Sequence, residues 1–371
     1  MTSKKSALAA PTSRPIATIA GIDIFIHWSF LILLAFIAVT NWMQTGSITQ
    51  VLWSLAFIGV LFICVVLHEL GHSMAARRFG INTRSITLLP IGGVASLERI
   101  PEEPKQEVIV ALAGPMVNVV IGALLIVVLM LTGSLKDLQP EAFSEINSQN
   151  FLMLLLMVNI MLVVFNMLPA FPMDGGRVFR AVLSFFMNRV RATQIAAAAG
   201  KLIAVGFIIL GLFHNPFLIL IGVFVIFGAH TEYEYTKSKS LLEGLSAGTI
   251  MMKNFTPLHP EQPINDAVTV LLNGQEDKFM VMDGPELKGI ISKNDIIKGL
   301  GSLGKEAPIR MIMTAEPLTI DVGRPMQEAY ELMMQNKISA LPVVSNALVV
   351  GLLDLDNILE ALMVLQVSKK G

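Results

Sequence analysis

The sequence predicts an α-helical polytopic membrane protein of about six transmembrane helices, with a β-hairpin after the second, followed by a C-terminal α/β module. Three observations carry this. Hydrophobic residues make up 54% of the 371 positions and charged residues only 15%, far from the balance of a soluble domain. Apolar stretches near 24–43, 51–73, 107–132, 151–169 (with a broken continuation), 195–213 and 216–234 are each long enough to cross roughly 30 Å of hydrocarbon. From about Lys237 onward the composition turns soluble and the sequence repeats itself.

Residues 1–22 carry Lys4, Lys5 and Arg14 but no compact apolar core before a small-residue cleavage site, so they read as a cytosolic tail. The first helix is expected from about Ile24, with His27 and Trp28 as interfacial anchors. The second run begins near Val51 and ends in His68-Glu69-Leu70-Gly71-His72. Arg77, Arg78, Arg84, Arg99 and Lys105 follow it, and Arg177, Arg180, Arg189 and Arg191 follow the fourth run. By contrast, 44–50 has no Lys or Arg and 133–150 has only Lys136. That asymmetry predicts a multi-pass protein with both termini cytoplasmic, and the membrane is expected to be the plasma (inner) membrane. His68 then lies roughly 26 Å from the outer end of its helix, inside the membrane toward the cytoplasmic face. Between the second and third runs, β-branched residues around Gly92-Gly93 predict a hairpin over Ser85–Glu98. The lone cysteine, Cys64, excludes an internal disulfide and reads as a small buried hydrophobe. A net charge of -1 gives no reason to expect nucleic acid.

The chemistry is carried by two motifs. Histidines four apart share one face of a helix, so the ring nitrogens of His68 and His72 can converge on one metal ion, with Glu69 beside them to take a proton from water. Ionisable residues at membrane depth are costly and mark function. The second motif runs Asn166-Met167-Leu168-Pro169-Ala170-Phe171-Pro172-Met173-Asp174-Gly175-Gly176-Arg177. Its prolines block regular helix, and broken backbone at that depth is tolerated only where it is buried in protein or lines a cavity. Asp174 either completes a His-His-carboxylate zinc site or caps a following helix and pairs with Arg177. His27, His214 and His230 read as non-ligands.

The C-terminal third is an internal duplication. Pro263-Ile264-Asn265-Asp266-Ala267-Val268 returns as Pro325-Met326-Gln327-Glu328-Ala329-Tyr330, and Gly289-Ile290-Ile291-Ser292-Lys293-Asn294-Asp295-Ile296 as Gly351-Leu352-Leu353-Asp354-Leu355-Asp356-Asn357-Ile358, each 62 positions later. Neither copy buries a good core alone, so the pair should pack as one unit. The pattern resembles a tandem cystathionine-beta-synthase (CBS) pair. Repeats are expected at 247–303 and 307–365, joined by a linker, 236–246, to a membrane domain over 23–235.

Together the two metal motifs resemble those of the site-2 protease family of intramembrane zinc metalloproteases, peptidase family M50. Ala113-Gly114-Pro115-Met116-Val117-Asn118 is also like a family segment, and the CBS pair makes the chain similar to the branch containing the sporulation sigma-factor-processing protease. The resemblance implies one zinc ion per chain on His68, His72 and Asp174, and Glu69 as general base. Asn118 and Asn166 would contact the extended substrate or the developing oxyanion, or else make interhelical hydrogen bonds. A re-entrant hairpin would lend the substrate its edge at Gly92 and Gly93. The substrate would be a membrane-anchored protein cut near the cytoplasmic side: a transcription regulator, an anti-sigma factor or a remnant signal peptide. In nucleotide-binding CBS pairs the positions of Gly289, Ser292 and Asp295 hold ATP or another adenine nucleotide. The second copy departs with Asp354 and Asn357, so at most one good site is expected, and a purely structural pair forming a homodimer is the alternative. A different class, a CBS-gated transporter or channel, would also have six spans, but transport needs no general base beside a histidine pair.

Overall fold

A computed structural model describes residues 15–90, 92–99, 101–133, 146–274 and 276–368. The charges expected in the N-terminal tail, and Lys136 in the third loop, lie outside the described residues. The chain divides into two compact units, Met1–Thr236 and Lys237–Gly371.

The first unit opens with strands β1 (Ala17–Ile19) and β2 (Ile22–Ile26), then helices α1 (Trp28–Thr45) and α2 (Ile48–Arg77). Strands β3 (Thr83–Leu89) and β4 (Gly92–Leu97) form the hairpin expected there. Helices α3 (Pro104–Thr132), α4 (Phe151–Asn166), α5 (Asp174–Ser184), α6 (Arg189–Phe213) and α7 (Pro216–Leu241) follow. Among the described residues five helices, α1, α2, α3, α6 and α7, are long and apolar enough to cross a membrane, and α4 is a shorter apolar helix.

The start of α1 differs from the sequence expectation. Ile22–Ile26 is a strand, paired in parallel with β3 through Ile24 and Ile86. Its alternate residues Ile22 and Ile24 join Phe30, Phe62, Val66, Leu70, Ile86 and Leu88 in one apolar core. His27 ends the strand and caps the helix, its Nδ1 accepting from the Ser29 amide at 3.3 Å, so it is a helix cap and not simply an interfacial anchor. The sheet order is β1-β2-β3-β4, which leaves β4 at an edge.

Between α4 and α5 the chain turns through Pro169 and Pro172, then enters α5 with almost no clearance. A Cβ on Gly175 would stand 2.4 Å from the Leu168 carbonyl oxygen, and one on Gly176 would stand 2.6 Å from the Ala170 carbonyl carbon. Only glycine lets α5 start flush against the loop that precedes it. Helix α7 extends to Leu241, into the stretch expected as a linker.

The second unit contains α8 (Ala247–Ile250), α9 (Ile264–Asn273), β5 (Lys278–Asp283), β6 (Glu286–Ser292) and α10 (Lys293–Leu303). After β7 (Thr314–Ala315) come β8 (Ile320–Asp321), α11 (Met326–Asn336), β9 (Ala340–Ser345), β10 (Leu348–Asp354) and α12 (Leu355–Ser368). Two three-stranded sheets result, β5-β6-β7 and β10-β9-β8. The copies interlock, since Met252, near the start of the first, exchanges two backbone hydrogen bonds of 2.8 and 2.9 Å with Leu352 in the second.

Lys278 is a second tie. Its buried ammonium donates to both oxygens of Asp354 at 2.7 and 2.8 Å and to Asp356 at 3.1 Å, and pairs with Asp277 at 3.1 Å. Burial alone would lower the lysine pKa, but the hydrogen bonds to Asp354, Asp356 and Asp277 outweigh it and leave the value raised. Lys278→Met should therefore destabilise the second unit by about 3 kcal/mol, because buried Asp354 loses its counter-ion. A raised lysine pKa stabilises fully below the unfolded value and loses that contribution as pH climbs through the folded one. Calorimetric unfolding should thus show a constant gap between the two proteins from neutral pH to about pH 9, closing only in stronger alkali.

Candidate metal centre

Helix α2 brings His68 and His72 to one face, a turn apart and both buried. Asp174 enters as the first residue of α5, also buried. The His68 and His72 Nε2 atoms are 3.1 Å apart, and Asp174 Oδ2 lies 3.3 Å from the first and 3.1 Å from the second. Helix α5 has no side-chain cap, so the alternative role for Asp174 as a capping residue is not the one seen; the carboxylate turns toward the histidines.

The far sides of both rings are occupied. His68 Nδ1 donates to Asn118 Oδ1 at 2.6 Å, and His72 Nδ1 donates to the Val110 carbonyl at 2.7 Å. With the Nδ1 proton committed to an acceptor, a neutral imidazole presents a bare lone pair at Nε2. Asn118 is in turn oriented, because its Nδ2 donates to Asn159 Oδ1 at 2.9 Å. Asn159 Nδ2 donates to the Leu155 carbonyl at 2.8 Å and contacts Cys64 Sγ at 3.7 Å. A backbone carbonyl of α4 therefore sets, through two amides, which nitrogen of His68 faces the centre. Two lone pairs and a carboxylate converging in apolar surroundings suit a cation, and the donor set is that of a catalytic zinc site with a fourth position open.

Space for the rings comes from α3. A Cβ on Gly114 would sit 2.2 Å from His72 Nε2 and 2.8 Å from His68 Nε2. One turn of α2 earlier than His72 the sheet closes in, since a Cβ on Gly93 would meet Glu69 Cγ at 2.7 Å. Edge strand β4 thus passes directly over Glu69, which is half-buried beside the histidine pair.

The remaining expected residues separate. Asn118 is 1% exposed with both ends of its amide engaged, so it makes the interhelical hydrogen bond and has no surface for substrate. Asn166 ends α4, half-buried and outside the His-His-Asp cluster. Gly92 opens β4 at φ 135°, a backbone state that favours glycine. In the second unit Gly289 serves packing, because a Cβ there would meet Met313 Sδ at 2.6 Å. Ser292 and Asp295 form the capping box of α10, with Ser292 Oγ donating to Asp295 Oδ2 at 2.6 Å. Asp354 is occupied by Lys278, whose ammonium sits among Asp277, Asp354 and Asp356. Sequence reasoning passed over Asn159, although an amide in the middle of the apolar α4 was the available signal.

Gly114→Ala should weaken zinc binding by at least about tenfold, as displacement of ring orientation at metal sites does, while leaving helix content unchanged. Chelator competition with circular dichroism on the purified variant checks both.

The chain is similar to known proteins along most of its length. Peptidase family M50 matches residues 56–141 and 131–212, and the CBS domain matches 247–302 and 309–364. A zinc metalloprotease of Methanocaldococcus jannaschii is 33% identical over 353 residues, covering 95% of this chain and 96% of its own. A Synechocystis protein that also carries a zinc-metalloprotease name is 28% identical over 370 residues, covering 94% of each chain. The solved site-2 protease from Methanocaldococcus jannaschii matches 59% of this chain and 94% of its own at 38% identity, with a TM-score of 0.43. A relative one-third identical along nearly all of both chains, together with matches to both halves, makes this chain a member of peptidase family M50: a multi-pass, site-2-type zinc metalloprotease that ends in a CBS pair.

Proposed function

We propose that His68, His72 and Asp174 hold the zinc ion, that Glu69 is the general base, and that the substrate is a membrane-anchored protein cut near the cytoplasmic side of the bilayer. The observation that carries the reading is the convergence of two Nε2 lone pairs and a carboxylate beside Glu69 on an apolar helix. Bound there, zinc would supply Lewis acidity toward water and the scissile carbonyl. Glu69, adjacent to His68, takes the proton of the attacking water and delivers it to the departing amine. Asn118 and the Val110 carbonyl keep both rings turned inward throughout.

A transmembrane helix satisfies its own backbone groups and hides its peptide bonds, so a substrate has to be extended before attack. The outer edge of β4 offers backbone partners to an extended segment, and Gly93 lets that edge run close to Glu69. A single-span regulator, an anti-sigma factor or a remnant signal peptide presents such a segment. Arg180 and Arg189 are held in ion pairs with Glu107 and so drop out of the loop-charge count. The rest of the Lys and Arg bias, notably Arg77, Arg78, Arg99 and Arg191, still supports cytoplasmic termini, with the plasma (inner) membrane as the expected location.

For the CBS pair, an adenine nucleotide such as ATP at Gly289, Ser292 and Asp295 would need to open the Ser292–Asp295 capping box, exchanging one set of hydrogen bonds for another. In the second copy Asp354, paired with Lys278, stands where the hydroxyl would be and Asn357 where the aspartate would be, so that copy offers neither a hydroxyl for phosphate nor a carboxylate for ribose. One nucleotide per pair, or a homodimer formed through the pair, are the two readings this leaves.

Glu69→Gln should keep zinc yet cleave about 10²–10⁴-fold more slowly, because an amide cannot accept the proton. Asp174→Ala should lose zinc. Metal analysis and comparison of membrane proteomes with and without the Glu69→Gln protein check this: a single-span precursor should accumulate. Unchanged cleavage by Glu69→Gln contradicts the base assignment, and full zinc retention by Asp174→Ala removes that ligand.

A further inference from the structure

Helix α5 carries a second buried polar group, six residues after Asp174. Arg180 is 1% exposed, and its guanidinium spans two carboxylates. Nε donates to Glu107 Oε1 at 2.8 Å, Nη2 also donates to Glu107, and Nη1 donates to Glu232. Arg189 Nη1 donates to the other Glu107 oxygen at 2.8 Å. The Phe171 ring covers the guanidinium, 5.0 Å from its centroid to Cζ. Two cations meet two carboxylates, so the cluster is neutral, and none of its members belongs to the chemistry proposed above.

The network ties α5 to α3 through Glu107, to α6 through Arg189 and to α7 through Glu232. Its link to α7 is reinforced one turn earlier. A Cβ on Gly228 would stand 2.7 Å from Pro172 Cδ, and the neighbouring Ala229 packs in one cluster with Phe171. Helix α7 therefore grips the segment on both sides of Asp174: at Pro172, two residues before it, and at Arg180, six residues after. A buried ion pair is weak as a stabiliser, because desolvation consumes most of its attraction, but it is directional. A bidentate guanidinium fixes both the distance and the rotation of the helix that bears it. Rotation of α5 about its axis is the motion that would swing Asp174 away from the two Nε2 atoms.

We propose that Arg180 and Glu232 are positioning residues for Asp174, so that α7 sets the third donor of the metal centre. The inference rests on the ligand assignment under the proposed function. It explains why Arg180 and Glu107 are kept fully buried, with Arg189 and Glu232 half-buried beside them, where apolar residues would pack with less cost, and why α7 has a glycine where it crosses Pro172.

Full-length protein purified in detergent and loaded with cobalt(II) or zinc tests this without any substrate. Glu232→Gln should remain helical yet bind zinc roughly 10–100-fold more weakly, the range found when outer partners of metal ligands are removed. Its cobalt absorption spectrum should also shift. Glu232→Asp, which keeps the charge, should recover most of the affinity. Gly228→Ala, which leaves every charge in place but pushes on Pro172, should weaken zinc binding in the same direction and decides the matter if Glu232→Gln does not fold. Wild-type affinity and spectrum in a folded Glu232→Gln or, should that variant not fold, in Gly228→Ala would overturn the proposal. His72→Ala separates the two layers of argument. If it still binds metal normally, the ligand assignment fails and the positioning role falls with it; if it loses metal while Glu232→Gln is unaffected, only the positioning role fails.

Discussion

Two imidazoles and a carboxylate held within 3.3 Å of one another inside packed apolar helices are the constraint around which the first unit is arranged. Their donor atoms face inward because their other polar atoms are already satisfied, and they can approach only because neighbouring elements are thinned to glycine. Gly114 clears the rings from one side and Gly93 lets the sheet close over Glu69 from another. Gly71 does the same for the helix pair itself, since a Cβ there would meet the Ala113 carbonyl oxygen at 2.7 Å. Each of these is a place where a side chain would cost the centre its geometry, not merely its packing.

Polar groups in such surroundings have few partners, and the protein uses them in chains. The run from the Leu155 carbonyl through Asn159 and Asn118 to His68 contains no ambiguous amide, because the first acceptor fixes every donor after it. The Arg180 cluster, six residues beyond Asp174 on α5, works with charge instead of amide direction. One histidine is thus oriented from α3 and α4, and the aspartate is restrained from α3, α6 and α7. The four-stranded sheet is the remaining wall, with its free edge where an extended peptide would have to lie.

Much of this was legible in the sequence, for physical reasons that differ by element. The His68 and His72 pair is read from helical periodicity alone, and Asp174 from the closely spaced Pro169 and Pro172 that break the chain ahead of it. The duplication is visible because both copies keep the same packing demands: Gly289 and Gly351 each lie against a methionine sulfur, at 2.6 and 2.7 Å from a would-be Cβ. Strand β2 was not legible, because Ile22–Ile26, apolar except for Asp23, runs into an apolar helix with only His27 between them. The Arg180 network was hidden for another reason. Its members are spread from Glu107 to Glu232, and arginines at span ends look like loop charges until the fold turns them inward. Asn118 was assigned a choice of roles that only its burial and partners could decide.

X-ray absorption at the zinc edge of the purified protein addresses the central claim most directly. The metal centre described here requires a first shell of nitrogen and oxygen at about 2.0–2.1 Å, with the outer-shell scattering of two imidazoles and no sulfur. A sulfur neighbour at about 2.3 Å, which would bring in Cys64, or a spectrum lacking imidazole scattering, would contradict it.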